Sequence, residues 1–507
     1  MKIDIKMTKP RHMKNRLTKL ITLLLVMSSI TTFAQDYDLN SYDFRYQKFR
    51  GLTFDFDLGN SGSQDFTSSQ DTFTRDSTFN NTGESFTSFN FNPSYFSFTN
   101  TDELQRTVNA SFAGDFSFGV DKNVSTDGIV SNRDMTNDLY LSYSNTSCFY
   151  TGEKFKYLQV STQSTFDNRG RIQKLKGETN EELKDWSFGN RTSVSYGFGT
   201  GRMNNVTDAV QAMFMLEDLK ALNGANYSNE QIEGIAQGIT LIRNARYLDF
   251  RIGYKTQLKM LDSVLRRNGV DGEQSIDYFT IISDNWLYAN RAARVSGSSW
   301  THFASLDNKY YETLENNRNN SGDYNYSGYK RLSPSFSLNT TFTRFWQKSL
   351  FVQKGFTFRA KSSLQYLRYR GYSGTLLEPI KRDEIELGTP SEQIESVTIL
   401  SGTYSYLFQP NTRNTWMVNV MPVLVFAQTL PKYASTIAIR DRTTLQPRVS
   451  VNSDYYHWFS PHLNMRASGT IGVNSNFYTS EDESFYQKRQ NSRLSYDLSF
   501  GINYQLF

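Results

Sequence analysis

The sequence predicts an all-β chain, about fourteen antiparallel strands closed into a transmembrane barrel (12 or 16 being the alternatives), with a helical insert. Three observations carry that expectation. The 507 residues are only 38% hydrophobic, with a mean hydropathy of −0.56, yet 15% are aromatic. Packed interiors are normally built from Leu, Ile, Val and Ala, so a polar chain rich in Phe and Tyr suits a thin apolar band over a wetted inner face. Segments of about ten residues repeatedly alternate apolar and polar, the signature of strands with one lipid-facing side. The connections between them alternate long and short.

The N-terminus sets the compartment. Lys2, Lys6, Lys9, Arg11, Lys14, Arg16 and Lys19 precede the apolar run LITLLLVMSSI, and small residues, Thr32 and Ala34, follow it. At about eleven residues the run is too short to cross a bilayer, which takes roughly 20. Residues 1–34 therefore read as a signal peptide, with Gln35 starting the mature barrel, 35–507; translation from Met13 instead of Met1 would keep the same signal. No cysteine follows the cleavage point, so a lipid anchor is not expected. The single cysteine, Cys148, excludes an internal disulfide framework and a thiolate metal cluster. A net charge of +5, with no basic block beyond the N-terminus, argues against nucleic acid as a partner.

Taken in order, strands are expected at 50–58, 86–98, 104–120, 137–147, 153–166 and 186–200. The third shows the pattern best: Val108, Ala110, Phe112, Phe116, Phe118 and Val120 alternate with Asn109, Ser111, Asp115 and Ser117. Residues 36–49 and 59–85, rich in Ser, Asn, Thr and Asp, read as loop or disordered segments. From Thr207 to Asn268 the period shifts to about 3.6, which defines a helical insert at 202–272. Its first helix has Thr207 or Asp208 as N-cap and Gly224 near its end; its second opens on a capping box, Ser228 and Gln231. Ile232, Ile235, Ile239 and Ile242 form an apolar stripe, continued by Tyr254, Leu258, Leu261 and Leu265, and mutual packing of the helices is the simplest use for it.

Beyond the insert, strands are expected at 285–303, 332–346, 355–370, 395–409, 415–428, 442–457, 462–476 and 492–507. Pro422 falls mid-strand, where it removes a ladder hydrogen bond, and Arg291 and Arg294 leave the faces of 285–303 undefined. The links at 304–331, 371–394, 429–441 and 477–491 are long and polar, whereas those at 347–354, 409–414 and 459–461 are short. An even strand count puts both termini on the side of the short turns, the periplasmic side for an exported barrel, and the insert falls there too.

Chemistry-bearing constellations are sparse. Gly197, Gly199 and Gly201 in YGFGTGR look superficially like a phosphate-cradling turn, but the preceding RTSVSY is half polar and the glycine spacing is wrong. His302 lies near Ser299 and Asp307, the residue types of a hydrolytic triad, and His457 and His462 flank a turn. Neither set has a recognised spacing; catalytic, cofactor and metal residues are not expected. Opposite the apolar faces stand Arg359, Lys361, Arg448, Arg466 and Asp497. Charges in a membrane segment must face water or each other, so these are expected to line a hydrated lumen, and the arginine excess suggests anionic solutes.

The mature chain resembles outer-membrane β-barrels of the Bacteroidota type. VTDAVQAMFMLEDLKALNG, SNEQIEGI, NARYLDFRIGY, LDSVLRRNG and the following YFTIISDNWLYANRAARVSG are similar to an uncharacterised barrel family of that group. The resemblance implies residence in the outer membrane, contact with its lipid and assembly by barrel-assembly machinery that reads an aromatic-ended last strand, here Tyr504 and Phe507. Phe507 is out of phase with the apolar set Leu494 to Tyr504; deleting it should impair assembly, and an unchanged heat-modifiable barrel would count against the signal. A porin-like or transport role is the leading expectation. An interaction barrel whose helices dock a periplasmic partner is the second, and an outer-membrane hydrolase the third.

Overall fold

The computed structural model describes residues 37–45, 47–70, 77–125, 128–175, 178–244, 250–270, 275–289, 291–318, 323–376, 390–433, 441–460, 463–482 and 485–504. The expected signal peptide, His462 and Phe507 lie outside them. Among the described residues fourteen strands form one antiparallel sheet in which each pairs with its neighbours in sequence. They are β1 Gln47–Gln70, β2 Ser77–Asn100, β3 Leu104–Ser125, β4 Gly128–Thr151, β5 Lys154–Leu175 and β6 Glu178–Asn205, then β7 Val295–Arg318 and β8 Tyr324–Ser349. The sheet continues with β9 Val352–Leu376, β10 Ser391–Asn411, β11 Asn414–Tyr433, β12 Asp441–Ser460, β13 Leu463–Asp482 and β14 Phe485–Tyr504.

All fourteen expected strands are present, and nearly all are longer than the apolar alternation suggested. Residues 59–70 and 77–85 of the polar stretch, and most of 304–331 and 477–491, pair as strand, because backbone hydrogen bonds continue the ladder where no apolar face is needed. Prolines mark local breaks. Pro422 keeps its place opposite Val449 on β12, while the pairing to β10 skips Met421 and Pro422. The lost N–H therefore breaks the ladder on one side only.

The seventh strand differs from expectation: Asn285 to Tyr288 end a helix, and β7 begins at Val295. Among the described residues the insert thus holds four helices, α1 Thr207–Asn223, α2 Asn229–Asn244, α3 Phe250–Arg267 and α4 Ile276–Tyr288, and runs well past 272. The Ser275 hydroxyl caps α4 by accepting from the Tyr278 N–H, a signal masked in the sequence by the β-like run YFTII. The α1 cap is also corrected: Val206 is the N-cap, and Asn205 Oδ1 takes the Thr207 N–H at 2.9 Å. The capping box at Ser228 and Gln231 forms as expected, and Gly224 ends α1 in the left-handed conformation.

The core lies in this insert and not in the sheet. Val210, Met213, Leu216, Leu219, Ile232, Ile235, Ile239 and Leu261 are buried together with Leu350 of the β8–β9 turn. Tyr37, Leu39 and Tyr42, in a stretch expected to be loop, join the same cluster. α1 is buried almost all round from Thr207 to Leu216, the mark of a central helix. The insert shares its end of the sheet with the short turns at 101–103, 152–153, 350–351 and 412–413; that end is called the insert end below.

The sheet is strongly rolled. Gln47, at the start of β1, donates to the Asn205 carbonyl at the end of β6, 3.5 Å away. Five flat strand spacings would separate them by about 24 Å. Tyr157 on β5 and Phe303 on β7 likewise meet at 4.9 Å between ring centroids, over Gly197 on β6, where a Cβ would lie 2.5 Å from Phe303 Cβ. Gly197 and Gly199 are thus packing glycines in a strand and not a phosphate turn.

Candidate functional site

The two faces of the rolled sheet differ in chemistry. The convex face carries exposed apolar residues: Leu52, Phe54 and Phe56 on β1, Tyr196 and Phe198 on β6, Leu306 on β7, Leu338 on β8, Ile471 on β13 and Leu494 to Tyr504 on β14. The concave face is polar, with a seam of buried serines, Ser195, Ser305, Ser333 and Ser337, toward its middle. All five residues expected to line a lumen fall on the concave face, out of phase with the apolar set. Arg359 and Lys361 stand opposite Thr341 and Asn339 of β8. Arg466 pairs with Asp454 at 2.8 Å, Arg448 donates to Gln446 at 2.6 Å, and Asp497 stands opposite Thr470.

Register brings together residues that the sequence did not single out. One continuous row across the concave face runs Asp57, Asn90, Asp115, Asp138, Asp167, Ser187, Thr313, Tyr329 and Gly371. Toward β9 the row opens into a cleft of about 930 Å³ lined by Asp167, Arg169, Asp185, Glu315, Tyr311, Tyr329 and Tyr369, among others. The three tyrosines are diagonal neighbours on β7, β8 and β9, and their rings form a strip with centroids 5.5 and 5.2 Å apart. A second cleft of about 430 Å³ adjoins it and shares Tyr311 and Tyr329; Arg191, Lys309 and Arg331 line it with Gln163 and Asn190. Lys309, Tyr311, Glu315, Tyr329 and Arg331 escaped notice because they sit in 304–331, read as a loop, and Asp167, Arg169 and Asp185 because they fall between the expected strands 153–166 and 186–200. The alternation Lys309, Tyr311, Thr313, Glu315 was the available signal.

The insert end is closed around one cation. Arg294 is fully buried and donates to Gln347 Oε1 at 3.0 Å, the Leu350 carbonyl at 2.9 Å and Gln409 Oε1 at 3.2 Å. Its surroundings supply oxygen dipoles and no carboxylate among the described residues, and burial pulls its pKa down from the usual arginine value. Asn40 joins the same knot, accepting from Ser296 and from the Gln347 N–H, both at 2.8 Å. The helices reach outward from it to other turns: Asp284 pairs with Arg413 at 2.7 Å, and the Arg291 guanidinium lies 4.2 Å over the Trp458 ring. The Lys48 N–H donates to Asn244 at the end of α2. One compact unit therefore touches strand ends from β1 to β12.

The other candidates do not assemble. His302 points to the apolar face, between Phe198 and Trp300, with Nδ1 3.0 Å from Thr340 Oγ1. Ser299 and Asp307 are odd-numbered neighbours on the opposite face, where Asp307 pairs with Arg191 at 3.8 Å. A strand's two-residue period cannot bring the three together. His457 Nδ1–H donates to Asn414 Oδ1 at 2.7 Å, and the ring packs edge-on against Phe459. No family model and no curated protein matches the chain.

Proposed function

We propose that this chain is an outer-membrane β-barrel with a transport-related, porin-like role, its helical insert and both termini on the periplasmic side. The observation that carries the proposal is the pairing of a polar, charge-bearing concave face with an exposed apolar convex face on one rolled sheet. The apolar set Leu494 to Tyr504 spans ten residue steps, about 34 Å along a strand, or roughly 25 Å tall at the usual tilt, the height of an outer-membrane band. Closure is supported by the two outermost strands. Among the described residues β1 pairs with β2 alone and β14 with β13 alone, and both are exposed on both faces. Their directions are opposite, so pairing them would complete an antiparallel ring and remove two long free edges.

The arrangement at the insert end adds a gate to the pore reading: the Arg294 knot and the helices sit across the mouth. In a planar bilayer the purified chain should give steady ion-selective currents. Protein that is folded and heat-modifiable but passes no current would overturn the pore and leave the interaction barrel, which exposed Ile276 and Phe279 at the start of α4 favour as a docking face. The hydrolase reading has lost its proposed triad.

A further inference from the structure

We infer that the tyrosine strip on the concave face is a binding site for an uncharged oligosaccharide, a deepening that rests on the lumen reading above. The strip is formed by Tyr311, Tyr329 and Tyr369, whose rings follow one another across three strands. Gly371, directly opposite Tyr329, adds no side chain beside the rings; a Cβ there would rest in ordinary contact with the Tyr369 ring at 3.5 Å. Aromatic faces present to a pyranose the flat apolar surface on which its C–H side packs, while its hydroxyls remain free for polar groups. Two successive ring-to-ring steps of just over 5 Å suit a chain of sugars better than a single one.

The polar groups around the strip fit the same ligand. Asp167, Asp185 and Glu315 line the cleft beside the rings, with Arg169 among them. Asp167 already accepts from Ser187 at 2.6 Å, which orients its carboxylate, while Asp185 Oδ1 has no hydrogen-bond partner among the described residues. On the other flank Arg331 stands in register between Tyr311 and Tyr369. Acceptors on one side and donors on the other match hydroxyl groups, which both donate and accept. A ligand of either net charge would meet like charge at one end of the cleft, which argues for a neutral one. The cleft volume of about 930 Å³ lies in the range of ligand sites.

The test is calorimetric titration of the detergent-purified full chain with neutral hexasaccharides of glucose, mannose, xylose and galactose, and with hexagalacturonate as the charged counterpart. At least one neutral hexasaccharide should bind, Tyr329→Ala should weaken it about tenfold or more, and Tyr329→Phe should retain most of the affinity. Asp185→Asn should weaken it by a smaller factor. Three results would overturn the site: no neutral saccharide binding, binding indifferent to Tyr329→Ala, or hexagalacturonate preferred in a Tyr329-independent way. Calorimetry needs neither a bilayer nor current. A chain that binds sugar but does not conduct fails only the pore reading, and one that conducts but binds none fails only this inference.

Discussion

Arg294→Ala is expected to loosen the insert end by about 3–5 kcal/mol and to raise the current through the inserted protein. Two effects oppose each other. Removing a buried cation that has no carboxylate partner relieves a desolvation penalty. Removing its donors strands Gln347 Oε1, the Leu350 carbonyl and Gln409 Oε1, at about 1–3 kcal/mol for each buried acceptor left without a bond. Three acceptors outweigh one relieved charge, because the guanidinium is already solvated by those dipoles. Arg294→Lys should fall between, since an ammonium cannot fork to three acceptors set by a planar group. Hydrogen exchange of the 207–289 amides and open-channel current should change together. Unchanged exchange in Arg294→Ala would show that the knot does not hold the helices in place.

How much was readable beforehand differs between wall and site. The strand count and order were legible because the apolar positions of one face alternate with a strict two-residue period, so Leu494 to Tyr504 or Val108 to Val120 announce themselves. The strand ends were not, since past the apolar band both faces are polar and only backbone pairing remains. That is why Tyr311, Glu315 and Tyr329 were hidden inside a supposed loop. Arg359, Lys361, Arg448, Arg466 and Asp497, all on the concave face, could be assigned to a face by parity alone. Which residues meet is a matter of register between strands, and register is invisible in one sequence when turns are long. Arg294 was the opposite case: it was placed inside the expected strand 285–303, whose faces it left undefined, and the structure shows it is no strand residue. It ends the helical insert, with its N–H on the Thr207 hydroxyl and its guanidinium on the Gln347 and Gln409 amides and the Leu350 carbonyl.

Asp208→Ala should unfold the helical insert selectively while the sheet remains paired. Asp208 is nearly fully buried at the start of α1, where it accepts from Arg243 Nη1 and from Thr240 Oγ1, both at 2.5 Å. The same guanidinium also donates to Gln211 on α1 and lies over the Trp286 ring of α4. One carboxylate thus fixes the arginine that ties α2 to α1 and α4. Cutting a buried pair costs about 3–5 kcal/mol, and because Arg243 keeps a quarter of its side chain exposed the loss here is nearer 2–3 kcal/mol. Asp208→Asn keeps the acceptor but not the charge, so about half that loss is expected. The strands are held to one another by their own ladders and share only end contacts with the helices, so the insert can open locally while the sheet stays paired. Limited proteolysis should therefore cut Asp208→Ala within 207–289 faster than the parent chain, with the strand segments still protected. Simultaneous loss of protection in β8 and β9 would mean instead that helices and sheet unfold as one unit, and that the insert is a structural part of the wall and not a separable gate.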